Sequence, residues 1–141
     1  TKGKEIMDIK EFFLNDRYAV GTGVELLEVK PGYARARLEI KPEHLNGGGV
    51  CQGGAIFTLA DLAAAAAVNS HGTLTLSITA EVHFFRSENK GFIYAEAHEI
   101  YNHGKLAHCR VDVINETGDL VAAFSSMGYH KKDILPIDKV E

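Results

Sequence analysis

Cysteine is scarce in this chain. Cys51 and Cys109 are its only two, too few for a disulfide framework, so a reduced, cytoplasmic setting is expected. Positive charge is also in deficit. Lys and Arg number 15 against 19 Asp and Glu, a formal net charge of −4, whereas a nucleic-acid binder shows a basic face. No apolar run reaches the roughly 18 uninterrupted residues of a membrane span. Thr1 to Lys10 is charged and has no apolar h-region, so no signal peptide is expected there. Neither nucleic acid nor membrane is an expected partner. The G-x-S-x-G turn of serine hydrolases is missing. Gly47-Gly48-Gly49 lacks the lysine of a nucleotide-binding P-loop. The histidines (His44, His71, His83, His98, His103, His108 and His130) are scattered, with no close pair at ligand spacing and no cysteine cluster beside them. No metal is expected.

What is present is a stretch from Asn46 to Ser70, NGGGVCQGGAIFTLADLAAAAAVNS. It opens as a glycine-rich loop and turns into a segment apolar from Ala55 to Val68 except at Thr58 and Asp61. Alanine is the best helix former, and a helix apolar on all sides must be buried. An ionised carboxylate on such a helix costs several kcal/mol unless it is paired or its pKa moves. That expense makes Asp61 a candidate catalytic group. The alternative is a structural Asp bonded to nearby backbone. Gly53 and Gly54 open the helix, where N–H groups are unpaired and the helix dipole is positive. They offer an oxyanion hole, or a plain N-terminal turn. Small side chains at Ala63 to Ala67 either leave a groove beside the helix or allow tight packing on a sheet. Cys51, beside the loop, is expected to be a buried, inert thiol.

The 141 residues, 45% hydrophobic and 24% charged, suit one domain over 1–141, burying about two thirds of its unfolded surface. Its core is expected over about 18–130. Asp8 to Asp16 reads as a short helix, with Asp8 and Glu11 as a capping box. Val24 to Val29 and Tyr33 to Ile40 read as strands around Lys30-Pro31-Gly32. Arg35, Arg37 and Glu39 give the second strand one wet face. After the helix, with Gly72 as a left-handed exit, come four strands: Thr73 to Phe85, Phe92 to Tyr101, Leu106 to Asn115 and Leu120 to His130. Their short polar connectors, Ser87–Gly91 among them, are expected to join antiparallel neighbours. Residues 131–141 read as a charged, frayed tail. The architecture expected is α+β, a long central helix wrapped by an antiparallel sheet of about six strands, with surface left over for a second copy.

At these residues the sequence resembles the hotdog-fold thioesterases, in their phenylacetate-pathway-type acyl-CoA branch. That branch carries an Asn, then His-Gly-Gly, then a helical acid eight residues after the first of those glycines. Here Asn46, Gln52-Gly53-Gly54 and Asp61 take those places. Glu81-Val82-His83-Phe84-Phe85-Arg86 resembles the strand ending in Phe-x-Arg-Pro, with Ser87 where proline is usual. Gly118-Asp119-Leu120-Val121-Ala122 resembles the last hairpin. The resemblance runs from about Tyr18 to His130, with one departure, Gln52 in the place of His.

The resemblance implies hydrolysis of an acyl-CoA thioester to the free acid and coenzyme A, with no metal or redox cofactor. Asp61 would act as general base or nucleophile, and the Gly53 N–H as oxyanion donor. Asn46 would lie near the water or carbonyl, and Gln52 would assist polarisation. Read without the resemblance, Asn46 forms a turn and Gln52 caps the helix. Thr79 lies where relatives use Ser or Thr to hold water, with Ser77, expected on the same strand face, as fallback. Threonine is also simply a good strand residue. Gly54 and Arg86 would contact substrate, Arg86 reaching a coenzyme A phosphate. Lys90, Lys105 and Lys131 are further cations, and solvated surface charge is the plain reading of each. Such sites are shared in a homodimer, with Asp61 of one chain facing Asn46 and Gly53 of the other, and dimers pair into homotetramers. Two alternatives stay open on the same fold. One is a non-catalytic acyl-CoA or acyl-carrier sensor, for which Gln52 speaks. The other is a dehydratase or hydratase, which would want a His on the central helix.

Overall fold

The alternating segments of the sequence form one antiparallel sheet, and the alanine-rich segment is the helix it wraps. A computed structural model describes residues 5–141. The first four residues of the expected 1–141 domain lie outside the described residues. The strands are β1 (Glu25–Lys30), β2 (Tyr33–Ile40), β3 (Thr73–Phe84), β4 (Gly91–His103), β5 (Leu106–Asn115) and β6 (Leu120–Ile134). Their order across the sheet is β1-β2-β4-β5-β6-β3. Among the described residues the α-helices beside them are α1 (Ile9–Phe12), α2 (Arg17–Thr22) and α3 (Gly53–Asn69). The expected α+β arrangement of one long helix against six strands is what the chain adopts.

Alanine sets the spacing between helix and sheet. Leu59, Ala60, Ala63, Ala66 and Ala67 share one face of α3 and expose nothing. Opposite them, Ala34 pairs with Ala97 and Ala36 with Ala95 across β2 and β4, and all four are fully buried. Small side chains on both surfaces let the helix lie close on the sheet. Ala63 to Ala67 therefore serve tight packing. The outer face of β2 carries Arg35 and Arg37, each over an aromatic ring of β4, Tyr94 and Phe92. This is the wet face the alternation implies.

Asn69 joins the end of α3 to the start of β3. Its Nδ2 donates to the carbonyls of Ala65 (2.8 Å) and Thr75 (3.0 Å), and its Oδ1 accepts the Thr75 N–H at 2.8 Å. Gly72 then turns the chain at φ +94°, in the left-handed region that favours glycine.

Four expectations are corrected. The helix expected over Asp8 to Asp16 is a shorter α1 followed by the turn Phe13–Asn15, and a further helix, α2, comes after it, with Asp16 as its cap accepting the Ala19 N–H at 3.0 Å. At α1 the capping box does not form among the described residues; Asp8 is a plain N-cap, its Oδ1 accepting the Lys10 N–H at 2.8 Å. Residues 131–134 do not fray. β3 begins at Thr73, so β6 runs on to pair Ile134 with it. Leu135 is then buried, and Met7 and Ile137 form a parallel bridge. Finally, the connector after β3 does not join neighbours. β3 and β4 are separated by β6 and β5, about three strand spacings or ~14 Å, which a six-residue extended segment can span. It is a crossover, and it passes the start of α3, where the Cys51 N–H donates to the Glu88 carbonyl at 2.7 Å.

Asn69→Ala leaves the N–H and C=O of Thr75 without their partners inside the protein. A loss of about 2–4 kcal/mol in unfolding free energy is expected, checked by urea denaturation.

Candidate active site

The loop ahead of α3 is held from two sides. The buried His44 ring accepts the Lys41 N–H on Nδ1 at 2.9 Å and meets the Thr22 carbonyl with Nε2 at 2.6 Å. This geometry assigns the ring proton to Nε2 and ties the loop to the end of α2. The His44 carbonyl accepts the Gln52 N–H at 2.8 Å. Asn46 organises the glycines. Its Oδ1 accepts the N–H groups of Gly48 (2.9 Å) and Val50 (3.3 Å). Gln52 is the N-cap of α3, its side-chain oxygen accepting the Gly54 N–H. The turn reading of Asn46 and the cap reading of Gln52 are both realised, and each leaves the side-chain NH2 of its amide as a donor.

Gln52 takes the Gly54 N–H and leaves that of Gly53. Among the described residues the Gly53 N–H has no partner. Gly53 lines a cavity of about 390 Å³ together with Asn46, Phe84, Phe85 and Arg86. A Cβ at Gly53 would stand 2.9 Å from the Phe84 ring, so glycine is required for this approach. The crossover segment supplies Phe85 and Arg86 to the wall. Phe85 and Arg86 both donate their N–H groups to the Val121 carbonyl, at 2.8 and 3.2 Å. The Arg86 guanidinium sits between Glu88 (3.7 Å) and Asp119 (3.8 Å). At these distances, with the Arg86 head exposed and only Glu88 half-buried, both ion pairs carry small energetic weight.

Asp61 is elsewhere. It stands eight residues beyond Gly53 on α3, about 12 Å along the axis, and does not line this cavity. It is half-buried. Among the described residues no hydrogen bond or ion pair engages its carboxylate, so the backbone-bonded reading does not apply. Burial raises its pKa above the ordinary 3.8, and the neighbouring Asp16 carboxylate raises it further.

Ser77 and Thr79 lie on exposed β3. Ser77 pairs with Gly128 and Thr79 with Met127, adjacent residues of β6 whose side chains leave opposite faces. The bulge at Ile78 therefore separates the two, and the expectation that they share a face is corrected. Cys51 is buried, and burial pushes its thiol pKa up, which makes it inert. The structure thus brings Asn46, Gly53 and Arg86 together, with Gln52 and Gly54 beside them. It does not bring Asp61, Ser77 or Thr79 to the same cavity within one chain. Sequence reasoning gave no role to Phe84, Phe85 or Asp16. Asp16 carries a legible signal, an Asp three residues before a buried Ala, and Phe84-Phe85 is apolar where a strand ends.

Sheet order and wrapped helix define the hotdog class. The structure of PaaI from the phenylacetic acid degradation operon of Escherichia coli superposes with a TM-score of 0.85, over 91% of this chain and 92% of that one, at 24% identity. In sequence, the Escherichia coli protein named acyl-coenzyme A thioesterase PaaI is 28% identical over 78% of this chain and 79% of its own. A relative from Archaeoglobus fulgidus, provisionally named an esterase, is 35% identical over 96% of this chain and 89% of its own. A Streptococcus mutans protein bound to acetyl CoA shares the fold, with a TM-score of 0.76 and 18% identity over 79% of this chain and 91% of that one. The profile described as Thioesterase superfamily matches residues 48–122. The chain belongs to the thioesterase superfamily, among its PaaI-like hotdog members, and is a thioester hydrolase. No described helix is long and apolar enough to cross a membrane.

A carboxylate whose pKa is raised in the fold binds its proton more tightly there than in the unfolded chain. The fold therefore loses stability as pH rises from about the ordinary 3.8 through the raised value. Asp61→Asn removes that loss. At pH 7 the variant is expected to melt higher than wild type, with the difference vanishing toward pH 3, as read by calorimetry across pH.

Proposed function

We propose that this protein hydrolyses an acyl-CoA thioester to the free acid and coenzyme A, with Asp61 as the group that activates water or attacks the carbonyl. The observation that carries this reading is the half-buried Asp61 carboxylate, which has no partner among the described residues and a raised pKa. A desolvated carboxylate is a stronger base than one in water. The unpaired Gly53 N–H at the positive end of α3 is the oxyanion donor, and the free amides of Asn46 and Gln52 are further donors beside it. Arg86, in the same cavity, meets a coenzyme A phosphate by releasing Glu88 and Asp119. Ser77 and Thr79 are secondary candidates for holding water. The acyl-CoA class follows the name of the Escherichia coli relative and the acetyl CoA held by the Streptococcus mutans fold neighbour.

The site is shared between two copies. An oxyanion donor must come within about 3 Å of the reacting oxygen, and one chain holds Gly53 and Asp61 some 12 Å apart along α3. Among the described residues edge strand β3 pairs with no strand on its outer side, and it exposes Leu76, Ile78 and Phe84, with the exposed Phe85 just past its end. A long apolar edge is a pairing surface. Two copies joined there place Asp61 of one against Gly53 and Asn46 of the other, and such dimers pair into a homotetramer. Two free, buried thiols suit a reducing cytoplasm.

Asp61→Asn is expected to lower kcat/KM on the best acyl-CoA by about 100-fold or more, the size of a lost general base, while the variant keeps its oligomeric mass in light scattering. Equal turnover in both proteins removes Asp61 from the chemistry.

A further inference from the structure

A second cavity, larger than the one beside Gly53, is a solvent-open groove of about 590 Å³ between the N-terminal helices, β1 and α3. Its walls are apolar: Phe13, Leu14, Val20, Val24, Leu26 and Leu62. Charge enters only through the exposed Lys10, Glu11 and Glu25. Leu14 and Val20 are 64% and 46% exposed, large apolar side chains left facing water along an open trough. We infer that this groove is the acyl-chain site of the enzyme and that it takes a medium-length aliphatic acyl group, an inference that rests on the acyl-CoA thioesterase reading above.

Three observations place the acyl chain here. First, the groove reaches the same turn of α3 as the reacting position: Leu62, which lines it, is the helix residue next to Asp61. Second, its outer wall is the turn Phe13–Asn15 and helix α2, joined by Asp16. That residue is fixed by its cap to the Ala19 N–H and lies near enough to Asp61 to raise its pKa. Groove and carboxylate thus share a helix, and the residue that joins the two outer wall elements of the groove lies beside the carboxylate. Third, the two cavities divide the chemistry of an acyl-CoA. The one beside Gly53 has Arg86 and the Asn46 amide for polar groups. The groove is walled by Leu14, Val20, Val24, Leu26, Leu62 and the Phe13 ring, with charge only on the exposed Lys10, Glu11 and Glu25. Its volume lies in the range that holds a drug-sized ligand, about 300–1,000 Å³, far more than an acetyl group fills. An open trough suits a flexible chain, where a flat ring would call for an enclosed slot.

The test is a chain-length series from acetyl- to palmitoyl-CoA. Wild-type kcat/KM is expected to rise from butyryl to decanoyl by up to about fourfold per methylene, the worth of a buried CH2. Val20→Trp fills the groove from an exposed position of α2 and is expected to lower the decanoyl-to-acetyl ratio of kcat/KM by about tenfold or more. A series that is flat in wild type, or a ratio unmoved by Val20→Trp, overturns the acyl groove while turnover itself upholds the thioesterase reading. Calorimetric binding to Asp61→Asn protein separates the two claims further. If no acyl-CoA is hydrolysed by wild type, the thioesterase reading fails, yet a decanoyl-over-acetyl binding preference erased by adding Val20→Trp still supports the groove. Equal binding of the two thioesters overturns it.

Discussion

The close approach of α3 to the sheet is the constraint on which the rest depends. It is made by alanine against alanine, with Ala60, Ala63 and Ala67 on the helix and Ala34, Ala36, Ala95 and Ala97 on the strands, all without exposed surface. Interiors packed at crystal-like density do not absorb an added methylene freely, and overpacking costs about 1–3 kcal/mol. The short side chains therefore fix how deep the helix lies, and with it the position of both its ends. At one end Asn69 hands the chain to β3. At the other, Gln52 caps α3 and leaves the Gly53 N–H facing a cavity.

Burial that stabilises the helix also makes Asp61 unusual. A carboxylate in this setting is held away from water and beside a second carboxylate, Asp16, and both effects favour its protonated form. The fold is weakened at neutral pH by the feature that gives the group its basicity. Such a conflict between stability and local chemistry is what makes the group a candidate for function. The buried thiols show the contrast. Cys109, fully buried in β5, has its pKa pushed up to about 12 mainly by desolvation.

Topology supplies what the helix cannot. Because β6 turns outward to pair with β3, the segment after β3 must cross two strands to reach β4. That crossing lays Phe85, Arg86 and Glu88 past the start of α3 and closes the cavity over Gly53. The same order leaves β3 as an edge with its apolar residues outward. One arrangement of strands thus builds the cavity beside Gly53 and leaves an open edge.

Local pattern determined most of the architecture. The alanine run, the two-residue alternation of β2, β4 and β5, and the turns at Gly32 and Gly72 each encode one element within a few residues, so the α+β sheet around a long helix was legible. Asp61 was legible too, because one carboxylate in an apolar helix stands out without reference to anything distant. The unread parts are those set by residues far apart in the chain. Whether residues 131–134 are strand or tail depends on where β3 begins, some sixty residues earlier. Ser77 and Thr79, two apart, should share a face by strand periodicity, but the bulge at Ile78 is a property of pairing with β6. A short polar connector reads the same whether it turns between neighbours or crosses a sheet. The proximity of Asp16 to Asp61, and the groove that Leu62 lines, exist only once α2 has docked on α3. Sequence encodes the period and chemistry of each segment, whereas register, strand order and the meeting of distant side chains follow from which surfaces bury together.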